Sequence, residues 1–434
     1  MNYVLRATCF LFSLNFLSVA FFLPSISSAW EANFSADPSA PELFLAIDKE
    51  RQKLFILSNK SPLQKLKEFS CSTGQVRGDK QKQGDRKTPE GIYFLEKRLT
   101  RGLNYDLYGK LAFTLNYPNP VDRIKGKTGY GIWIHGRGHK ITEFETKGCV
   151  ALNMSDIAAL EPGIILQKTP VAIARKATWQ DKETNSGIET EIVRLTREWA
   201  RAWAKKSDEF FSFYHGEKFT LSGQDFKRFT RRKKRLFQKY SWIDVYIHQP
   251  KALAGPGYVV SFFGQVYRTS TFFSTGIKRL YWQRLENNEW KIVGSEWRPG
   301  AAAMERELKG KYLEARKEEL LQWIEKWRKA WEKADLENYA RFYTIDAVQG
   351  SIKGIKAILA NKKKVWRKVG RPQKIECKNF DIQLDKEGFL ISFVQKYTSE
   401  QGYKDTGIKQ LKVAPLPSGW HIISESWRKL SWPR

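Results

Sequence analysis

Cysteine is scarce in this chain: four in 434 residues, too few for a disulfide framework. Long apolar runs are nearly absent. Only one stretch, at the extreme N-terminus, approaches membrane-spanning length, which excludes a polytopic membrane protein. No glycine-rich loop sits between a strand pattern and a helix pattern, so dinucleotide and phosphate-loop sites have no support. Acidic residues are in deficit, 46 against 75 Lys and Arg, leaving a net charge of +29. What the chain has in quantity is aromatic surface: 16 Trp, 17 Tyr and 27 Phe, enough for several cores. With 41% hydrophobic and 28% charged residues, it is not a disordered chain. Its length suggests about two to four domains.

Residues 1–29 carry one side-chain charge, Arg6, then an apolar run from Cys9 to Leu23, Pro24, and Ser27-Ser28-Ala29. A basic start, an apolar centre and small residues predict a secretory leader cleaved after Ala29, with an uncleaved anchor as the alternative. Either way residues 30–434 are expected outside the cytoplasm, in the periplasm or cell wall, with no transmembrane segment once the leader is removed. Export argues against nucleic acid as the partner of so basic a chain. Residues 30–180 hold 24 basic and 16 acidic side chains; residues 181–434 hold 50 and 30. The excess therefore lies in the C-terminal half, where stem-peptide carboxylates, wall polymers and lipid head groups are the anionic partners on offer. A solvated basic face is the plainer reading of any single lysine cluster. The exported part keeps three cysteines. Cys71 and Cys377 lie in strand-like surroundings and read as small core residues; Cys149 does not.

Residues 42–176 consist of short strand-like runs punctuated by glycine, among them Leu43-Phe44-Leu45-Ala46-Ile47, Gly91-Ile92-Tyr93-Phe94-Leu95 and Gly131-Ile132-Trp133-Ile134. No long helical period precedes Ser155, which predicts a mainly β domain. Residues 177–189 are polar and read as a linker. The remainder is an internal repeat. Trp199-x-x-x-Trp203 and Phe213-Tyr214 return as Trp327-x-x-x-Trp331 and Phe342-Tyr343. Lys233-Lys234-Arg235 returns as Lys362-Lys363-Lys364, Thr275-Gly276-Ile277-Lys278 as Thr406-Gly407-Ile408-Lys409, and Trp297-Arg298 as Trp427-Arg428. Each copy reads as helices followed by antiparallel strands. The copies are expected at 190–300 and 318–434, joined by a charged helix over 301–317. The Trp and Tyr residues at helical spacing read as core before sugar-stacking platforms. This order of elements resembles the cone-shaped nuclear-transport-factor-like (SnoaL-like) fold.

The chemistry points to residues 130–156. A β-like run delivers His135 into a glycine-rich turn containing Gly136, Arg137, Gly138 and His139; then follow Thr146-Lys147-Gly148-Cys149 and an apolar run to Asn153. Glycine before a nucleophile allows close backbone approach and frees amides to face a reacting carbonyl. A thiol with an ordinary pKa of about 8.5 needs a base or positive surroundings to attack near neutral pH. His135 offers the base and Lys147 an adjacent positive charge. A buried Cys and a turn His is the competing reading of the same two residues. A metal reading would join His135, His139 and Cys149, but His-x-x-x-His suits zinc on a helix and Gly136 and Gly138 indicate a turn. No metal or cofactor is expected.

Residues 42–176 resemble the YkuD-type L,D-transpeptidase catalytic domain. The resemblance is carried in order by Ala46-Ile47-Asp48-Lys49 with Gln52 to Ile56, Ser72-Thr73-Gly74, Gly84 to Tyr93, Ile134-His135-Gly136, Thr146-Lys147-Gly148-Cys149, and Asp156-Ile157. It implies a β-sandwich-like catalytic domain followed by the two α+β cone-like repeats. It also implies Cys149 as nucleophile and His135 as general base. The Gly136 carbonyl would orient the imidazole, and amides around Gly148 and Cys149 would bind the oxyanion. Tyr117, Arg137, His139, Thr146, Lys147 and Asn153 are the expected substrate-binding residues. The implied reaction is attack on the bond between the diamino acid and D-alanine of a peptidoglycan stem peptide, through a thioester. An amine acceptor makes the enzyme an L,D-transpeptidase; water makes it an L,D-carboxypeptidase or a wall-protein amidase. Three features depart from the common pattern: Lys147 replaces a histidine, Ala151 an arginine, and only ten residues separate His135 from Thr146. With Asn116-Tyr117-Pro118-Asn119 they resemble a shorter-loop subgroup that includes cell-shape L,D-carboxypeptidases with a C-terminal cone. The alternative of another class is a non-catalytic basic scaffold that binds the wall; retention of Cys149 and His135 argues against it.

Overall fold

The computed structural model describes residues 29–180, 187–221 and 223–430. The expected leader, apart from Ala29, and residues 181–186 of the expected linker lie outside these residues; of the rest of that linker, 177–179 are in a strand and 188–189 in a helix.

Ten strands build the N-terminal part: β1 (Glu31–Phe34), β2 (Leu43–Asp48), β3 (Lys53–Ser58), β4 (Gln64–Ser70), β5 (Gly91–Leu99), β6 (Ala112–Leu115), β7 (Trp133–Arg137), β8 (Val150–Asn153), β9 (Pro170–Ala174) and β10 (Lys176–Trp179). Eight of them form one sheet in the order β4-β3-β2-β9-β5-β6-β7-β8. The segment after β4 returns to the far edge, where Ser72 bridges Ala151 and Gly74 bridges Thr146. The expected sandwich-like domain is therefore one sheet rolled nearly into a barrel. Its strands read as apolar runs because the inner face buries Ile47, Leu54, Tyr93, Phe113, Ile134, Val150 and Leu152. Three short helices decorate it: α1 (Tyr105–Tyr108), α2 (Pro120–Ile124) and α3 (Met154–Leu160).

The first cone comprises α4 (Ile188–Ala204), α5 (Glu209–Ser212), α6 (Phe226–Lys239) and a sheet β11 (Asp244–Gly255), β12 (Tyr258–Arg268), β13 (Phe273–Arg284) and β14 (Trp290–Pro299). Alternation along these strands serves two masters. Val259, Phe263, Leu280, Trp282 and Ile292 pack under the helices with Trp199 and Trp203. Leu253, Tyr258, Val260, Phe262, Tyr281 and Val293 face the other way, onto Ile92, Phe94 and Val121 of the catalytic domain.

The second cone repeats the plan. It has α7 (Ala302–Glu332), α8 (Leu336–Ala340), β15 (Tyr343–Gln349), β16 (Ile352–Lys353), α9 (Ile355–Val369), β17 (Pro372–Asp385), β18 (Gly388–Ser399), β19 (Lys404–Leu416) and β20 (Gly419–Lys429). The repeat extends to single hydrogen bonds: Trp199 Nε1 donates to Tyr214 Oη at 2.8 Å, and Trp327 Nε1 to Tyr343 Oη at 3.2 Å. Trp199 and Trp327 are fully buried, as core residues are. α7 is continuous through the expected boundary between linker and second repeat. Its first half packs on the first cone, where Asp244 takes Arg316 Nη2 and Tyr312 Oη, each at 2.6 Å. Leu320, Ile324 and Trp327 then enter the second core.

Candidate active site

β7 carries His135 between two small neighbours. It pairs with Ala112 of β6 on one side and Ala151 of β8 on the other, and both alanines are fully buried. Ile134, Val150 and Leu152 point into the barrel core. Alternation therefore puts Trp133, His135 and Arg137 of β7 on the outer face together with Ala151 and Asn153 of β8. Cys149 immediately precedes β8, beside Trp133 in the parallel register. Its sulfur takes a hydrogen bond from the Trp133 amide, and its Sγ–H reaches the Gly131 carbonyl at 3.5 Å. Thiol and imidazole thus share one face of the β7–β8 pair, two residues apart in the register.

His135 is buried, and its Nδ1 lies 2.7 Å from the Gly136 carbonyl. A carbonyl only accepts, so Nδ1 carries the proton and Nε2 keeps its lone pair. The Tyr108 ring, on α1, packs edge-to-face with the imidazole, the ring centres 5.1 Å apart. Gly136 lies close under Met154, whose Sδ would be 2.4 Å from a Cβ there and would have to move aside. Burial pushes the His135 pKa down to about 4, the Gly136 hydrogen bond only partly opposing it. Burial also raises the Cys149 thiol, against the Trp133 amide and the charges of Arg137 and Lys80. Burial thus works against charge on both the thiol and the imidazole.

The nucleophile turn is held from within. Thr146 Oγ1 donates to the Cys149 carbonyl at 2.7 Å and accepts the Gly148 amide at 3.1 Å. Gly148 has φ +127° and its missing Cβ would lie 2.8 Å from the Lys87 carbonyl, so only glycine fits. The Gly148 amide, expected to face an oxyanion, is thereby engaged. The Cys149 amide has no hydrogen-bond partner among the described residues.

The structure brings Cys149, His135, Gly136, Thr146, Gly148 and Arg137 together. Arg137 is tied by Nε to Glu145 at 2.9 Å and by Nη1 to the Leu107 carbonyl at 3.0 Å. Asn153 accepts the Ile141 amide and donates to Asp156, pinning the loop after β7. His139 is exposed on that loop, 3.9 Å from Glu145. Lys147 is exposed and makes no ion pair among the described residues; the cations whose field reaches the thiol are Arg137 and Lys80. Tyr117 is buried, its hydroxyl donated to the Thr128 carbonyl at 3.0 Å.

Sequence reasoning passed over Tyr108, Glu145 and Lys80. Asn104 and Gly109, which cap the single turn of α1, were the available signal for Tyr108. Lys80 is held by Asp85 at 2.7 Å, and Asp85 also gathers the amides of Gln81, Lys82 and Lys87. Among the described residues no group of three or more His, Cys, Asp or Glu side chains is placed to hold a metal ion.

A rolled sheet with a thiol and an imidazole on one face of two parallel strands is the frame on which comparison with known proteins defines an enzyme of the L,D-transpeptidase or L,D-carboxypeptidase type. The L,D-transpeptidase catalytic domain, YkuD, matches residues 43–173. The Cds6 C-terminal NTF2-like domain matches twice, over residues 191–296 and 319–426. The chain belongs to the YkuD L,D-transpeptidase family and carries two Cds6-type NTF2-like domains. Bd1075 of Bdellovibrio bacteriovorus is 30% identical over 64% of this chain and 98% of its own, with a TM-score of 0.47. The helical cell shape determining protein Pgp2 of Campylobacter jejuni is 27% identical over 58% of this chain and 91% of its own, with a TM-score of 0.45. No curated protein sequence matches the chain.

Proposed function

We propose that the protein is an exported L,D-transpeptidase that attacks the bond between the diamino acid and D-alanine of peptidoglycan stem peptides, with Cys149 as nucleophile. The family acts on peptidoglycan. The observation that carries the finer reading is the Nδ1–Gly136 contact: it leaves His135 Nε2 basic on the face that bears the sulfur. The Sγ proton moves to Nε2 as the Sγ–C bond forms. The carbonyl oxygen becomes an oxyanion facing the unpaired Cys149 amide. Collapse expels the amine of D-alanine, which takes the proton from Nε2, and leaves a thioester. An acceptor amine then attacks, gives its proton to Nε2, and releases the sulfur. Arg137, whose Nη2 has no hydrogen bond among the described residues, is the cation placed to receive a stem carboxylate; Ala151 is fully buried and has no charge to offer. Water in place of the acceptor amine gives the carboxypeptidase, and the half-buried Cys149 supports that second reading.

Digestion of isolated muropeptides tests this. Transfer yields dimers joined between two diamino acids; tripeptides alone mean hydrolysis. Cys149→Ala abolishes both, and unchanged turnover in that variant overturns the cysteine mechanism. His135 must be neutral to accept the proton, so kcat/KM holds below pH 6.5, the ordinary imidazole value, and falls only as pH passes through about 4. An acid limb at the ordinary value contradicts the burial argument.

A further inference from the structure

The Cys149 thiol rests on the Gly131 carbonyl, and Gly131 ends a segment that the first cone holds. Segment 116–131 is closed at its base by the Leu115 amide on the Ile132 carbonyl at 3.0 Å. Its returning leg is tied to its outgoing leg by Tyr117 Oη on the Thr128 carbonyl. The outgoing leg is gripped from across the domain boundary. Asn116 Nδ2 donates to Glu296 Oε2 at 2.9 Å and to Tyr281 Oη at 3.1 Å, while its Oδ1 accepts the Phe94 amide at 2.7 Å. Asn119 Nδ2 donates to Tyr258 Oη at 3.2 Å. Pro120 lies against Gly294 so closely that a Cβ on the glycine would be 2.4 Å from the proline ring. Glu296, Tyr281, Tyr258 and Gly294 all belong to the first cone.

The grip is charged and buried. Burial works to raise the Glu296 pKa, but Arg279 and Arg298 with the Asn116 and Tyr281 hydrogen bonds outweigh it and hold the carboxylate ionised. Both Asn116 and Glu296 are buried, so removing one partner strands the other without water to replace it. A shift of the segment carries Gly131, and with it the carbonyl that sets the thiol's direction relative to His135.

We propose that Glu296 of the first cone, acting through Asn116, is a positioning residue for the Cys149 thiol. The first cone is on this view a working part of the catalytic centre. The inference rests on the reading of Cys149 as nucleophile.

The test uses the full chain and three variants: Glu296→Gln, Tyr281→Phe and, as control, Glu96→Gln. Glu96 joins the same two domains through Arg279 at 2.5 Å and Arg298 at 2.7 Å without touching Asn116. Two readouts are taken on protein whose circular dichroism matches wild type: kcat and KM on muropeptides, and the pH profile of Cys149 alkylation by iodoacetamide. Glu296→Gln is expected to lower kcat roughly tenfold with KM within about twofold, and to shift the alkylation profile. Tyr281→Phe, which keeps the charge, shifts both in the same direction by less. Glu96→Gln lowers the melting temperature and leaves kcat and the profile at wild-type values. Should Glu296→Gln not fold, Tyr281→Phe decides by the same readouts. Equal melting losses in all variants with unmoved kcat and alkylation overturn the proposal. A wild-type chain that alkylates at Cys149 yet turns over no muropeptide overturns the functional reading instead.

Discussion

The two cones end on nearly the same five residues, Gly294-Ser295-Glu296-Trp297-Arg298 and Ser424-Glu425-Ser426-Trp427-Arg428, with serine and glutamate exchanged. Strand alternation makes that exchange consequential. In the first cone the carboxylate, Glu296, points outward to Asn116 of the catalytic domain. In the second it points inward: Glu425 sits under the helices, bonded to Lys409 Nζ and accepting Tyr343 Oη at 2.5 Å. The matching inner amine of the first cone, Lys278, donates to Ser295 Oγ at 3.2 Å and makes no ion pair among the described residues. Elsewhere the interiors agree. Lys233 lies 3.7 Å over the Trp203 ring and Lys362 lies 4.2 Å over Trp331. Among the described residues Trp203 Nε1 and Gln265 Oε1 find no hydrogen-bond partner, and neither do Trp331 Nε1 and Gln395 Oε1. One step of register has thus turned a charge that stabilises a domain from within into one that joins two domains.

The largest expected consequence is in the second cone. Lys409→Met takes away the amine bonded to Glu425, leaving Lys362 beside the buried carboxylate, and should lower the unfolding free energy by about 3–5 kcal/mol; Lys278→Met removes an amine whose charge burial already disfavours and should cost clearly less. Urea denaturation of the two variants compares them directly, and equal losses would break the contrast. Next in size is Gly294→Ala, whose new methyl meets Pro120; overpacking of this kind costs roughly 1–3 kcal/mol and should increase protease sensitivity between the catalytic domain and first cone. Ser424→Ala, at the matching place, should leave cleavage unchanged. Acid then sharpens the comparison. Despite burial, Lys409 and Lys362 hold Glu425 down to about 2 against an ordinary 4.5. A depressed carboxyl contributes stability above its ordinary value and loses it as pH falls from there toward about 2. The urea midpoint of the wild type should fall over that window more steeply than that of Glu425→Gln. The smallest effect is expected from Ser426→Ala, an exposed position, within about 0.5 kcal/mol by the same denaturation.

Much of this was legible beforehand. The strand runs before Ser155, the paired Trp-x-x-x-Trp openings and the Gly148-Cys149 turn are local patterns, and local patterns report backbone geometry. Other features were not. A helix was expected over 301–317 as a linker, but the helical period does not say what a helix packs on. Leu308 and Tyr312 serve the junction with the first cone, while Leu320 and Ile324 serve the second core, so one helix does both. Lys147 was expected as the thiol's positive neighbour by sequence adjacency. Lys147 is instead exposed, and the charges that act on the thiol, Arg137 and Lys80, come from a strand and a loop.

Residue order by itself determined which side chains can share a face, where only glycine fits, and that one thiol and one imidazole lie at the edge of a β domain. Tertiary structure decided the rest: that burial works against charge on both groups, that the Gly148 amide is spent on Thr146, and that a carboxylate from the first cone reaches Asn116. The reason is that local rules set the direction of a side chain, whereas its electrostatic environment and its partner come from segments that only the packed chain brings near.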